Sequence, residues 1–353
     1  MSLPNMPYIE FATKYYANPK INLAMSDVPH PDYKEYLASE ELIDLIQTHP
    51  HLLMEKLVHI IAQKYGVKPT QVELTMGVTN SFSIVGQVMK DFGHTIVLSE
   101  CPGYEPLWLT PEGLGFDVVE VRRELTDYSF DLNKLDDAAK NNSWLWLTNP
   151  HNPSGRYLNL DEMKEITEVM KKNNSYVFVD EIYHDFCTPL GKDSAVNVND
   201  NVVISNGITK TYGLGTYKIG WMVGPEEFIK RARIARLHQF MLVPGPSLAL
   251  TYLFMKNQER VRENQITRVL TNRNYVKNYL CDLDIFIPTT GPISLLKLPK
   301  STDDVELAKR AIHEHGLVLS PGYFFKHPGY LRISYAGYLE SIKKGLEVLK
   351  TYL

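Results

Sequence analysis

Cysteine is scarce, with only Cys101, Cys187 and Cys281 in 353 residues. Their wide spacing fits neither a disulfide framework nor a metal-binding pattern, so a reducing, cytoplasmic setting is expected. No apolar run reaches the roughly 18 residues that a membrane-spanning helix needs, and none is expected. Met1-Ser2-Leu3-Pro4-Asn5-Met6 lacks a basic stretch followed by an apolar one, so a secretory leader is not expected. A basic stripe is missing too: 37 Lys and Arg against 41 Asp and Glu leave a net charge of −4, which argues against a nucleic-acid partner. Internal repeats and low-complexity segments are absent. What is present is ordinary globular composition, 44% hydrophobic and 22% charged. The length suits one large domain with a satellite, or two domains. Tyrosine is frequent, with 21 residues, which speaks for packing before function.

Proline and glycine punctuate the pattern. Residues 1–30 hold a short amphipathic start at Tyr8 to Ala12 and an extended stretch in which Pro29 and Pro31 block helix. A helical pattern covers 33–46, His49-Pro50-His51 interrupts it, and Leu53, Leu57, Ile60 and Ile61 repeat at helical spacing before Gly66. Residues 74–80 read as a turn and 81–88 as a helix. Short apolar runs then alternate with helical stretches at 95–98, 118–121, 144–147, 176–179, 202–204 and 219–223. Continuously apolar strands of this kind are buried on both faces, and their alternation with helices predicts a mostly parallel sheet, an α/β domain. Residues 226–280 read as largely helical, with a connecting helix. Strand texture returns from Ile285 through 293–298, 318–319 and 330–335, with helices at 304–315 and 339–352, as in a compact α+β unit.

Ligands of parallel α/β sheets sit beyond the carboxyl ends of the strands, and polar clusters follow these strands closely. Gly77-Val78-Thr79 opens a helix, whose free N–H groups favour a phosphate or simply form a capped turn. Tyr104, in Cys101-Pro102-Gly103-Tyr104, can stack on a planar ring or pack at the rim. Asn149-Pro150-His151-Asn152-Pro153-Ser154-Gly155-Arg156 is the strongest short signal, a tight polar loop in which the Asn152 amide can donate to a phenolate oxygen. In Asp180-Glu181-Ile182-Tyr183 the first carboxylate can pair with a protonated pyridine nitrogen, or cap a helix, and Tyr183 can donate to a ring oxygen. Lys210, after Val202-Val203-Ile204, is either a solvated surface lysine or an amine nucleophile able to form a Schiff base with an aldehyde cofactor. Arg332 lies inside an apolar strand, where a guanidinium requires an internal ion pair or a carboxylate ligand.

In this order and as a set, these residues resemble the class I/II aminotransferases, the aspartate aminotransferase-like group of fold type I pyridoxal phosphate (PLP) enzymes. The resemblance rests on N-P-H-N-P-S-G, D-E-I-Y, T-K-T-Y-G-L, K-I-G-W and L-R-I-S-Y-A, with S-P-G-Y-F-F at Ser320 to Phe325 similar to the family's P-G-x-x-F. It runs from about residue 20 to the end of the chain. It implies a PLP-binding large domain over 36–245 and a small domain from 1–35 plus 246–353 that includes the connecting helix. Lys210 then matches the lysine that holds the cofactor and moves the proton. Asp180 matches the pyridinium partner, Tyr183 and Asn152 the donors to the ring oxygen, and Tyr104 the stacking aromatic. Gly77, Val78 and Thr79 match the phosphate turn. Arg332, with Asn152 beside it, matches the clamp on the substrate α-carboxylate. The implied activity is ping-pong transamination between an L-amino acid and a 2-oxo acid, in a homodimer.

The chain departs from the family's pattern at four places. Gly207 stands where a phosphate-binding serine is common. Lys218 replaces a phosphate-binding arginine, keeping the charge without the bidentate fork. The resemblance then implies a weaker hold on the cofactor or compensation by a donor such as Thr209. A tyrosine usually contributed across the dimer is matched only by His49, and a glycine common near the substrate is missing from Ala24-Met25-Ser26-Asp27. A PLP-dependent β carbon–sulfur lyase or amino acid decarboxylase shares the same residues around the ring. A non-catalytic binding or regulatory protein of the same fold is a more distant alternative.

Overall fold

A computed structural model describes residues 3–16, 19–31, 40–140, 142–187, 191, 193–300 and 302–353. The chain begins with α1 (Pro7–Tyr15), β1 (Ile21–Asn22), α2 (Glu40–Gln47) and α3 (Pro50–Tyr65). The helix expected over 33–46 is seen from Glu40 onward; its earlier part, and the expected domain boundary at 35/36, lie outside the described residues. The alternating unit follows: β2 (Val72–Thr75), α4 (Val78–Asp91), β3 (Ile96–Cys101), α5 (Pro106–Gly113), β4 (Asp117–Arg122), α6 (Leu132–Ala138), β5 (Ser143–Thr148), α7 (Leu160–Lys172), β6 (Tyr176–Asp180), β7 (Val202–Gly207) and β8 (Gly220–Val223). These strands form one seven-stranded sheet in the order β2-β8-β7-β6-β5-β3-β4. All pairs are parallel except those of β8, which runs against β2 and β7.

Two readings are corrected here. Residues 74–75, expected in a turn, belong to β2, and the helix expected from Ser81 begins at Val78. The cause is Glu73, which interrupts the apolar run of β2 yet is buried between the guanidinium groups of Arg233 (2.8 Å) and Arg236 (2.6 Å).

Period-two alternation places the core. On β5, Leu145 and Leu147 face one apolar layer with α3 and α7, whereas Trp144 and Trp146 face a second layer with α4 and the next helix, α8 (Glu226–Gln239). Both sides of the sheet are therefore covered, as parallel strands require. Only the edge strand β4 is largely exposed.

The helical stretch after β8 is three helices, α8, α9 (Gly245–Lys256) and α10 (Gln258–Tyr279). Leu248, Leu253 and Phe254 of α9 pack into the large-sheet core, and Val269 and Val276 of α10 pack into the other core. The rest is β9 (Ile285–Phe286), β10 (Ile293–Lys297), α11 (Asp304–His315), β11 (Leu317–Val318), β12 (Ser320–Pro321), β13 (Tyr330–Ser334) and α12 (Leu339–Lys350). The antiparallel sheet β12-β13-β10-β9 and the parallel pair β1-β11 share a separate core with Phe11 and Leu23 from the other end of the chain. Among the described residues no helix is long and apolar enough to cross a membrane.

A buried ion pair ties α3 to the loops after β6 and β7. Lys64 Nζ lies 2.6 Å from Asp185 Oδ2, with side chains 0% and 1% exposed. The Tyr212 hydroxyl donates to the same oxygen at 2.8 Å. Burial pushes the Asp185 carboxyl up, but Lys64 and the two hydrogen bonds outweigh it and hold it below the usual carboxylate range. Its stabilisation is therefore present at neutral pH and is lost as pH falls through that lowered value. Lys64→Met strands the carboxylate and should cost about 3–5 kcal/mol in denaturant unfolding at neutral pH. The double variant Lys64→Met/Asp185→Leu should recover at least half of that loss; a single variant as stable as the parent would remove the pair from the fold's supports.

Candidate active site

Strands β3, β5, β6 and β7 end on the same side of the sheet, and a cavity of about 690 Å³ opens there. That is within the usual range for small-ligand sites. Eleven residues singled out in the sequence line this one cavity: Gly77, Val78, Thr79, Tyr104, Asn152, Asp180, Tyr183, Thr209, Lys210, Lys218 and Arg332. The twelfth, His49, does not line it. It is exposed at the N-terminus of α3, where its ring Nδ1 accepts from the His51 N–H at 3.3 Å.

Arg332, on β13, enters from the far core. Its guanidinium is buried and donates to Asn152 Oδ1 (2.8 Å), the Tyr8 hydroxyl (2.9 Å), the Ala24 carbonyl (2.9 Å) and Ser320 Oγ (3.2 Å). Every partner is neutral, and Nε has none among the described residues. A guanidinium does not deprotonate in proteins, so a full positive charge stands at the wall without a carboxylate. The same geometry orients Asn152. A guanidinium only donates, so the amide oxygen must face it and the amide NH₂ turns away from it. The Asn152 loop is held from below. Its backbone N–H donates to Thr148 Oγ1 (2.8 Å), and Thr148 donates through N (2.8 Å) and Oγ1 (2.7 Å) to Glu100 Oε1. Glu100 is paired in turn with buried Arg123 at 2.6 Å.

Asp180 ends β6. Burial pushes its carboxyl up to about 7, nearby Glu100 adds to this, and the Ile182 N–H (3.0 Å) and Lys210 only partly offset it. Tyr104 is half-buried, edge-on to Tyr8 and Phe82, with ring centroids 6.1 and 6.4 Å away. Lys210 is half-buried after β7, its Nζ 3.3 Å from Asp27 Oδ1. Burial works against its charge, but Asp27 and the phenols of Tyr183 and Tyr8 outweigh burial and Arg332, so the ammonium is held above its ordinary range.

Sequence reasoning missed the N-terminal wall. Tyr8, Tyr16, Ser26 and Asp27 line the cavity, and Ser26 Oγ meets the Tyr183 hydroxyl at 2.5 Å. Glu105 fixes α1 by accepting from the N–H groups of Tyr8 (2.9 Å) and Ile9 (2.8 Å).

The Gly77-Val78-Thr79 turn is built by close approach. Gly77 caps α4 without a side-chain hydrogen bond, leaving its first N–H groups at the cavity. Gly207 pairs with Gly220, and a Cβ at Gly207 would lie 2.9 Å from the Ile219 carbonyl oxygen and 3.2 Å from Val78 Cγ2. Gly207 is thus explained by packing: it lets α4 sit on the sheet. Lys218, exposed and with φ 55, lies over Gly77 from the loop before β8.

Residues 19–349 match the family described as aminotransferase class I and II. An aspartate aminotransferase of Streptomyces avermitilis is 26% identical over 318 residues, covering 82% of this chain and 76% of that protein. A histidinol-phosphate aminotransferase of Halorubrum lacusprofundi is 24% identical over 316 residues, covering 89% and 84%. Among solved structures, a PLP-dependent aminotransferase from Streptococcus suis superposes with a TM-score of 0.87 at 22% identity, over 100% of this chain and 98% of that one.

Asp180 generates a test in the ligand-free protein. An unfolded aspartate loses its proton near pH 4, whereas the folded one keeps it to about 7. Stability contributed by this group is therefore full below about pH 4 and declines as pH rises to about 7, by up to about 4 kcal/mol. Chemical unfolding at pH 5 and pH 8 should show a flatter pH dependence for Asp180→Asn than for the parent. Identical slopes would mean that Asp180 ionises normally.

Proposed function

The chain belongs to the class I and II aminotransferases, which are pyridoxal phosphate enzymes, and from that premise we propose that the cavity transfers an amino group between an L-amino acid and a 2-oxo acid in two half-reactions. The observation that carries this reading is that Lys210 Nζ and the buried, carboxylate-free guanidinium of Arg332 line one cavity. The donor set fits the cofactor. The N-terminus of α4, uncapped by any side chain, together with Lys218 and Thr209, suits a phosphate. Asp180, its carboxyl raised to about 7 by burial, suits a cationic ring nitrogen that would draw it into the ionised form. The Asn152 amide and the Tyr183 hydroxyl suit the ring oxygen, and Tyr104 suits the ring face.

Bound there, PLP supplies an aldehyde carbon and a protonated ring able to draw electrons from a substrate carbon. The chain's own groups do the rest. Lys210 supplies the amine that holds the cofactor and, when free, the base that moves the substrate's α-proton at Nζ. Arg332 docks the α-carboxylate bidentately, and the burial that makes its charge costly without an anion makes the contact strong with one. Asp180 keeps the positive charge on the ring nitrogen, and the dry wall of Tyr8 and Phe82 strengthens each of these interactions.

The donor's side chain meets α1. Tyr8, Ile9, Ala12, Thr13 and Tyr16, with Met25, are aromatic, apolar or hydroxyl-bearing, which supports a donor with an uncharged apolar or aromatic side chain. Two further parts belong to the same proposal. The chain divides into a large unit and a small unit built from both ends, with α9 assigned to the large one by its packing. It forms a cytoplasmic homodimer, supported by Ile43 (58% exposed) and Ile46 (43%) on α2 and Leu52 (50%) on α3, close in sequence to His49.

Treating the parent with PLP and borohydride should fix one cofactor on the Lys210 peptide, and Lys210→Ala should lose both this adduct and activity. Arg332→Gln should lower kcat/KM for amino acids at least 100-fold, in line with about 3 kcal/mol for a charged carboxylate contact. Phenylalanine or leucine should exceed aspartate as donor by 10-fold or more in kcat/KM. A Lys210→Ala enzyme with an intact adduct would overturn the assignment, and equal use of aspartate would overturn the donor class.

A further inference from the structure

Residues 24–29 form a strap along the cavity wall, and four of the six touch a residue of the candidate site. The Ala24 carbonyl accepts from Arg332 at 2.9 Å, and Ser26 Oγ meets the Tyr183 hydroxyl. Asp27 Oδ1 lies 3.3 Å from Lys210 Nζ, and the Val28 N–H donates to the Lys210 carbonyl at 3.1 Å. The strap is pressed against the lysine loop at Gly213, where φ is +67 and a Cβ would lie 2.5 Å from the Pro29 carbonyl oxygen and 2.9 Å from that of Val28. Backbone contacts on both sides of Asp27 thus set its carboxylate against the amine. Its position does not depend on a long, freely rotating surface side chain.

An ammonium has no lone pair, so Lys210 must shed a proton before its nitrogen can bond to carbon. The groups facing it are Asp27 from the strap, Tyr183 and Asp180 from the end of β6, Tyr8 from α1 and Arg332 from β13. Arg332 is a cation and cannot accept. Tyr183 is engaged with Ser26, and the Tyr8 hydroxyl already accepts from Arg332. Asp180 is buried, its carboxyl raised and tied to the Ile182 N–H. Asp27 is the carboxylate in contact with Nζ, half-exposed and 3.3 Å away.

We propose that Asp27 is a positioning residue for Lys210, the carboxylate that holds Nζ as an ammonium at the cavity wall until the amine is needed to bond to carbon. When the amine is needed, one N–H bond breaks, the proton passes to solvent water, and the nitrogen keeps the electron pair it uses on carbon. The return step reverses each change, and no oxidant is involved. Placing Lys210 at the aldehyde rests on the proposed function above; the contact with Asp27 does not.

The test uses the ligand-free full chain. Trace acetic anhydride labels neutral amines, and mass spectrometry of the Lys210 peptide across pH gives the midpoint at which that amine loses its proton. Asp27→Asn, close in shape and half-exposed, should lower that midpoint by about one pH unit or more, so labelling below both midpoints is about 10-fold faster. Asp27→Glu should return the midpoint toward that of the parent, and thermal melts of both variants should match it. A midpoint unchanged in Asp27→Asn would overturn the proposal. The borohydride adduct on Lys210 is a separate readout: if it fails while the midpoint shifts, the cofactor assignment falls and the Asp27–Lys210 couple stands.

Discussion

The charge of Arg332 is the constraint around which the cavity is arranged. A guanidinium cannot give up its proton, and burying it among neutral partners leaves a standing demand for an anion. That demand draws in four distant parts of the chain: the Asn152 loop, Tyr8 on α1, the Ala24 carbonyl and Ser320. Asn152 is oriented because a guanidinium can only donate, and α1 is held over the cavity by Arg332 at Tyr8 and by Glu105 at its N-terminus. Neutral partners make a site for an anion; a resident carboxylate would have filled it.

A second tier of buried pairs keeps this arrangement in place. Glu100 and Arg123 lie beneath the Asn152 loop, and Glu100 reaches it through Thr148. Lys64 and Asp185 lie beneath the loops that carry Tyr183 and Lys210. Such pairs contribute little net stability compared with apolar replacements, but removing one partner is expensive, so they hold geometry more than they add free energy. Beneath the cavity lie these ion pairs, and at its wall stands Arg332, whose charge has no carboxylate partner among the described residues.

What was legible in the sequence was whatever announced itself locally. Lys210, Asp180, Asn152 and Tyr104 each follow an apolar run closely, and strand ends on one side of a parallel sheet converge by topology. Asp27 and Tyr8 gave no such signal, because their partners lie 183 and 324 residues away and only the folded chain joins them. Residues 74–75 of β2 read as part of a turn; Glu73 beside them, which breaks the apolar run, is buried against Arg233 and Arg236 only in the folded chain. Gly207 read as a missing phosphate ligand, whereas its neighbours show a steric requirement: the place of a side chain is taken by Val78 and the Ile219 carbonyl. His49 stayed outside the cavity of the single chain, and no local pattern could have shown that.

Lys210, one amine, and Arg332, one cation without a carboxylate among the described residues, are proposed to serve a two-stage exchange of an amino group. A single-turnover experiment tests it most directly. The PLP-loaded protein is mixed with an apolar or aromatic L-amino acid in the absence of any 2-oxo acid, and the products are counted per site. Two-stage exchange requires one equivalent of the matching 2-oxo acid, bound cofactor in its amine form, and no free ammonia. Repeated turnover releasing ammonia, or carbon dioxide with the amine of the substrate retained, would contradict it and assign the same residues to a lyase or a decarboxylase.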